Sequence, residues 1–368
     1  TRELTAPFHG RTGAARSRLA RKGGATTESE RSVGLGLFWL ARHQKPDGSW
    51  SLDHSGQCRG KGCPPDKHAT SDTAATGLAL LPLLGAGHTH TEPGLYQKNV
   101  DAALTWLRTH QKPNGDLFTG GGGHMYGHAI ATMAMCEAYG LTKDDALLGP
   151  SRRAVAFIAS AQNRSDGGWR YSPGQSGDTS VFGWQMFALR SGYLAGIEVP
   201  AETVKRCRTY LDLAACDHPK MSTYAYIPGQ KATMVMTAEA LLGRQYLGWD
   251  RDSPALQAGA ELVAKDLFKS KTRNIYYWYY ATQLLHNMQG PAWEKWNVKV
   301  RDGLVGIQVK GQGCDRGSWD PLKPVADRWG KEAGRHFVTC LSLLTLEVYY
   351  RYLPLYQDQG KASMAATP

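Results

Sequence analysis

A block of apolar helix, glutamine, tight turn and aromatic residue recurs along this chain, and it limits the possible folds more than any other feature. Residues 38–50 read FWLARHQKPDGSW, residues 105–117 TWLRTHQKPNGDL, and residues 156–169 AFIASAQNRSDGGW. Each copy ends a helical stretch, places a glutamine, then turns at Asp or Asn before Gly, where a positive φ is needed. Gln44, Gln111 and Gln162 mark three copies. Gln308, followed by Gly317, Ser318 and Trp319, marks a fourth. The gap between Gln162 and Gln308 has room for two degenerate units, expected around Tyr210-Leu211 and Leu267-Phe268.

Every unit continues into a second segment that is apolar nearly all round and opens on small or hydroxylic residues, the mark of a buried helix. These segments begin at Asp72, His128, Asp178, Lys231, Tyr279 and Phe337. The preceding helices keep charge on one side, as VDAALTWLRTH from Val100 shows. Six pairs, outer then inner, predict an all-α (α/α)6 toroid with glutamine turns, one domain spanning residues 30–357. The 42 glycines are well above the roughly 7% of average usage and fall at the turns of the repeat. Pro46, Pro113, Pro150, Pro173, Pro200, Pro254 and Pro291 are expected in connections rather than helix interiors. Residues 1–29 read as a basic, Gly-rich arm and 358–368 as a disordered tail.

Lys and Arg exceed Asp and Glu by 43 to 32, a net charge of +11. Arg2, Arg11, Arg16, Arg18, Arg21 and Lys22 concentrate part of it in the arm, and the rest is dispersed. Without a basic stripe interleaved with aromatics, nucleic acid is not an expected partner. No run of 18 apolar residues suggests a transmembrane helix. The start at Thr1, without an initiator Met, reads as a piece trimmed from a longer chain.

The pattern from Gln44 to Gly48, Ser49 and Trp50 is similar to the QW repeat of triterpene cyclases. Residues 120–140, GGGGHMYGHAIATMAMCEAYG, resemble a Gly-rich stretch of protein prenyltransferase β subunits. Over most of its length the chain resembles the prenyltransferase and squalene-cyclase repeat proteins of bacteria, and TLEVYYRYLPLY is typical of a subgroup of unsettled activity. The resemblance implies the toroid and a hydrophobic or prenyl ligand.

The catalytic sets of these relatives are incomplete here. Triterpene cyclases protonate substrate with an Asp in a D-x-D-D-T-A motif, a carboxyl kept protonated by its surroundings. Asp72 matches the last Asp, but Ser71 stands at the acid position; a second D-T-S at Asp178 has Gly177 there. Both aspartates also read as helix N-caps. The prenyltransferase zinc set, Asp, Cys and His, is replaced by Asn274, Tyr276 and Val338, with His336 two residues away. GQGCDRG at residues 311–317 lacks the Glu-Gln of a thioester domain. No metal set and no cofactor is assigned.

Asp72, Asp178, His128 and Tyr126 are the candidate catalytic residues; Trp184, Tyr224, Tyr277, Trp278 and His336 are candidates for substrate binding. His124, Tyr126 and His128 supply acid–base groups near neutral pH, or simply cap and pack a Gly-rich loop. The run from Tyr276 to Tyr280, with Tyr224, Tyr226 and Trp184, fits a cavity lining for a prenyl chain, a carbocation or a sugar ring, or ordinary core. His54, Cys58, Cys63 and His68 have a spacing open to Zn²⁺, but without a C-x2-C knuckle a Cys58–Cys63 disulfide is favoured. That disulfide would place folding outside the reducing cytoplasm. LEVYYRYLPLY, residues 346–356, suits either peripheral membrane contact or the closing helix of the last unit. These residues describe a divergent or non-catalytic relative with an aromatic central cavity, any activity being that of a terpene cyclase-like isomerase or lyase rather than a zinc prenyltransferase. The alternatives are a carbohydrate-active (α/α)6 enzyme, or a protein-binding or structural module.

Overall fold

The repeated segments fold as antiparallel helix pairs, because each glutamine turn reverses the chain between a one-sided and an all-round apolar helix. The computed structural model describes residues 8–58, 63, 70–266, 272–356 and 364, and its regular elements are all helical. Helix α1 (Gly13–Gly23) precedes the repeat. The six pairs are α2 (Thr27–Arg42) with α3 (Asp72–Gly85), α4 (Gln97–His110) with α5 (His124–Thr142), and α6 (Asp145–Ser160) with α7 (Thr179–Leu194). They continue with α8 (Ala201–Ala214) and α9 (Met234–Tyr246), α10 (Pro254–Lys265) and α11 (Ile275–Met288), and α12 (Pro291–Ile307) and α13 (Gly330–Leu346). A last turn, α14 (Val348–Arg351), ends the regular structure.

The odd-numbered helices α3 to α13 each pack on the next, and α13 returns to α3, while α12 meets α2 on the outside. The ring is therefore closed, and the fold is an (α/α)6 toroid.

The glutamine explains why its turn recurs. Gln44 Nε2 donates to the carbonyls of Gly48 at 2.7 Å and of Asn99, in α4, at 2.9 Å. Gln111 spans in the same way from Gly115 to Pro150 in α6, and Gln162 from Gly167 to Thr203 in α8. Gln308 binds Gly317 and then Ser32 in α2, both at 2.8 Å, so the last unit is tied to the first by the same device. Trp50, Trp169 and Trp319 close three of these turns from below, their indole N–H donating to Leu40, Ile158 and Leu304 of the unit's own outer helix. Glycine is required at Gly48 and Gly317: both have φ of 92°, and a Cβ would run into the carbonyls of Ala102 and Leu35.

Several expectations change. Pro150 lies inside α6, not in a connection, and Pro82 lies inside α3. Pro150 forfeits one backbone hydrogen bond there, but its own carbonyl is the acceptor for Gln111, so the outer layer uses it as a tie point. The inner helices α5 and α11 begin four residues before their expected starts, at His124 and Ile275, α13 begins seven before, at Gly330, and α9 three after, at Met234. Tyr210-Leu211 do lie on an outer helix, α8. Leu267-Phe268 are outside the described residues, as are 1–7 of the arm and, Met364 apart, the tail from 357. The rest of the arm is helical, packs on α14, and sends Arg11 fully into the interior. Among the described residues no helix is long and apolar enough to cross a membrane.

Candidate functional site

In a ring of hairpins all inner helices run the same way, so their N-termini share one end. Asp178 is the N-cap of α7: its Oδ1 accepts the Val181 N–H at 2.9 Å, and Arg170 Nε lies 3.7 Å from Oδ2. Its side chain is fully buried, and burial pushes the carboxyl up to about 6. A hydroxyl chain begins beside it. The Tyr126 hydroxyl of α5 donates to Ser180 Oγ at 2.8 Å, and Ser180 bonds the Tyr276 hydroxyl of α11 at 2.6 Å. Tyr276 in turn donates to Glu239 of α9 at 3.3 Å, and Tyr280 donates to Tyr276 at 3.2 Å.

Glu239 is the residue that reading the sequence missed. Burial pushes its carboxyl well above the usual range, the Tyr280 and Tyr276 hydroxyls oppose that push, and the charge of Asp178 adds to it. Gly183 makes the space: a Cβ there would overlap the Glu239 carboxyl. The available signal was one acid inside the otherwise apolar MVMTAEALLG stretch of an inner helix.

The centre of the ring is filled. Trp184 of α7 stacks on Tyr279 of α11 at 5.8 Å between centroids, although α9 separates these helices around the ring. Phe187 of α7 meets Tyr280 at 5.4 Å, and Tyr276 meets Tyr280 edge-on at 4.8 Å. Trp184, Tyr279 and Tyr280 are at most 1% exposed, so their rings border no space that water could enter. The column continues to the opposite end, where Arg351 reaches both the Tyr279 hydroxyl and Glu137. Arg11 closes it with a 2.6 Å ion pair to Glu137. The aromatic cavity expected from the sequence is thus aromatic but occupied by the chain itself.

The structure brings Asp178, Tyr126 and Trp184 towards this column and takes the other candidates elsewhere. Asp72 is the first residue of α3, capped by Ser71, and pairs with Lys45 at 2.7 Å near the surface. His128 is buried with both nitrogens used: Nδ1 accepts the Leu117 N–H and Nε2 meets the Ala154 carbonyl, each at 3.1 Å. It does for its turn what Thr76 and Thr339 do for theirs. Tyr224 sits under the fourth turn, bonded by Arg244. Tyr277 points outward to the Val263 carbonyl of α10 and, with Trp278, borders a separate cleft of about 230 Å³ between α9 and α11. His336 spans the α13–α3 seam to the Ala75 carbonyl at 2.9 Å.

Cys58 and Cys63 are free thiols, so the expected disulfide does not form. His54 packs its ring against Trp39 and His43, and His68 lies outside the described residues. Tyr349, Tyr350 and Arg351 of the C-terminal aromatic run are buried, as a closing helix requires.

No family model and no curated protein matches this chain. Solved structures do. An inactive variant of the α-1,6-mannanase GH76A of Salegentibacter sp. HEL1_6 aligns at TM-score 0.60 and 11% identity, over 88% of this chain and 99% of that one. The cellobiose 2-epimerase of Spirochaeta thermophila DSM 6192 aligns at 0.60 and 13%, over 92% and 98%. The type II terpene cyclase MstE of Scytonema aligns at 0.53 and 14%, over 88% and 98%. At these identities the likeness is one of fold, and this chain shares its toroid with carbohydrate-active enzymes as much as with a terpene cyclase.

Proposed function

We propose that this chain is a non-catalytic toroid, a binding or structural module whose ring interior serves stability. The observation that carries the reading is the filled axis, in which Trp184, Phe187, Tyr276, Tyr279 and Tyr280 pack against one another across the centre. A cyclase must enclose its substrate in a cavity, whereas Trp184, Tyr279 and Tyr280 on the axis of this ring are at most 1% exposed. The half-buried Tyr126 and Tyr226, with exposed Tyr171, and the cleft beside Tyr277 and Trp278 are the places where a ligand would be met. The test is to incubate the protein with squalene, geranylgeranyl diphosphate, an α-1,6-mannooligosaccharide and cellobiose. No turnover of any of them is expected; a cyclic terpene, a shortened glycan or an epimer would overturn the proposal.

A second reading, acid–base chemistry at the same end, is favoured by Asp178, whose carboxyl burial pushes up to about 6, beside the Tyr126–Ser180 hydroxyl chain. Asp178→Asn separates the two. The cap to Val181 survives because the amide oxygen still accepts, so any turnover that this variant abolishes is chemical in origin.

A further inference from the structure

Three cysteines and a histidine converge at the seam of the ring. His43 is the C-cap of α2, Cys58 and Cys63 lie in the connection from α2 to α3, and Cys314 lies in the connection from α12 to α13. The ligand atoms of all four lie within 4.8 Å of one another. His43 Nε2 is 3.4 Å from Cys314 Sγ and 3.7 Å from Cys63 Sγ. Those distances match the edges of a tetrahedron around Zn²⁺, where bonds of about 2.3 Å to sulfur and 2.0 Å to nitrogen put S and N about 3.5 Å apart.

The surroundings orient the set. His43 Nδ1 lies 2.7 Å from the Trp39 carbonyl and can only donate to it, which leaves the Nε2 lone pair facing the thiols. This is the second-shell arrangement that holds a metal-binding imidazole in its tautomer. Trp39 also stacks on the ring, with centroids 4.3 Å apart. Arg42 donates to the carbonyls of Cys314 at 3.1 Å and Arg316 at 3.3 Å, fixing the distant loop against α2. Three thiolates and one imidazole around a dication leave one net negative charge, and Arg42 and Arg335 are the cations that act on the cluster.

We infer that His43, Cys58, Cys63 and Cys314 form a structural Zn²⁺ site that fastens the last unit of the toroid to the first. A disulfide would use two of the thiols and leave the third, together with the oriented imidazole, without a purpose. Soft thiolates in a closed four-ligand set select Zn²⁺, and with no open position the metal acts on stability rather than on a substrate. On binding, each thiol gives its proton to the solvent, and no electrons are transferred. The site departs from the sequence expectation twice: it assigns a metal where none was assigned, and it replaces His54 and His68 with His43 and with Cys314, 271 residues distant from it.

The experiment is to purify the full chain in reducing buffer without added metal and measure bound zinc. About one equivalent per chain is expected, with a large loss in Cys314→Ser and His43→Ala. Cys216→Ser, at an exposed thiol outside the cluster, should keep the full amount. Since a ligand variant can also fail to fold, the wild-type protein stripped of metal is titrated with Co²⁺. Thiolate-to-cobalt charge transfer and the visible bands of tetrahedral Co²⁺ should appear together and saturate at one equivalent. Metal-free protein that stays spectroscopically silent with Co²⁺, or a Cys58–Cys63 disulfide mapped in natively purified protein, would overturn the inference. Neither result depends on whether the ring is catalytic.

Discussion

Glu239 shows how one side chain can be out of place for its helix and right for its site. It stands among apolar residues of α9, and only the Tyr276 and Tyr280 hydroxyls and the absent side chain of Gly183 make room for it. Its folded-state pKa is raised, so the folded form holds a proton that the unfolded chain releases near its ordinary value of 4.5. The sign follows: its favourable contribution is fully present below that value and is lost as pH rises towards the folded pKa. Gln cannot ionise and keeps an acceptor for Tyr276. E239Q should therefore match wild type near pH 4 and exceed it by a margin that grows as pH rises above 5. Urea unfolding across that range measures it, and parallel pH curves for the two proteins would show that Glu239 is ionised in the fold.

The unit of construction is the turn between outer and inner helix. Its glutamine reaches the next outer helix, and its glycine passes so close to that helix that a methyl group cannot fit. Gly317 therefore tests the closing contact of the ring. Its φ of 92° is strained for any other residue, and its Cβ would meet the Leu35 carbonyl of α2. G317A should cost about 2–3 kcal/mol in denaturant unfolding. Gly306, inside α12 with nothing near its added Cβ, is the control: G306A should gain up to about 1 kcal/mol from helix propensity. Equal effects at the two positions would mean that the seam carries no special strain.

At the level of the whole molecule, both ends of the ring are closed by charge and hydroxyl groups rather than left open. Arg11 enters from the N-terminal segment and, with Arg351 and the Tyr352 hydroxyl, surrounds Glu137, which holds that carboxyl below its usual range despite complete burial. Removing one partner of a buried pair leaves the other desolvated and underpaired. R11M should cost about 3 kcal/mol, while R18A, on the exposed face of α1, should stay within about 0.5 kcal/mol. Urea unfolding of both variants decides it. A small loss in R11M would mean that Arg351 alone satisfies Glu137, and that the N-terminal segment is a cover rather than a plug.

The recurring Gln, Gly and Trp, with the alternation of one-sided and all-round apolar helices, were enough to specify six helix pairs and their closure into a ring, because turn geometry and helix burial are local properties of the chain. The same residues read correctly through the degenerate unit at Tyr210, where the turn signature has decayed but the apolar period has not. The site was legible only in part. Asp178 and Tyr126 announce themselves at a helix start, but Asp72 and His128 have equally suggestive neighbours and turn out to hold Lys45 and the Leu117 turn. What separates them is which face of the helix each residue occupies and what the opposite side of the ring presents, and those are facts of packing. The same holds for the centre, which composition describes as aromatic but which only the meeting of α7 and α11 across the axis fills. It holds most of all for Cys314, brought to His43 because a closed ring makes its first and last units neighbours, a contact that no local spacing encodes.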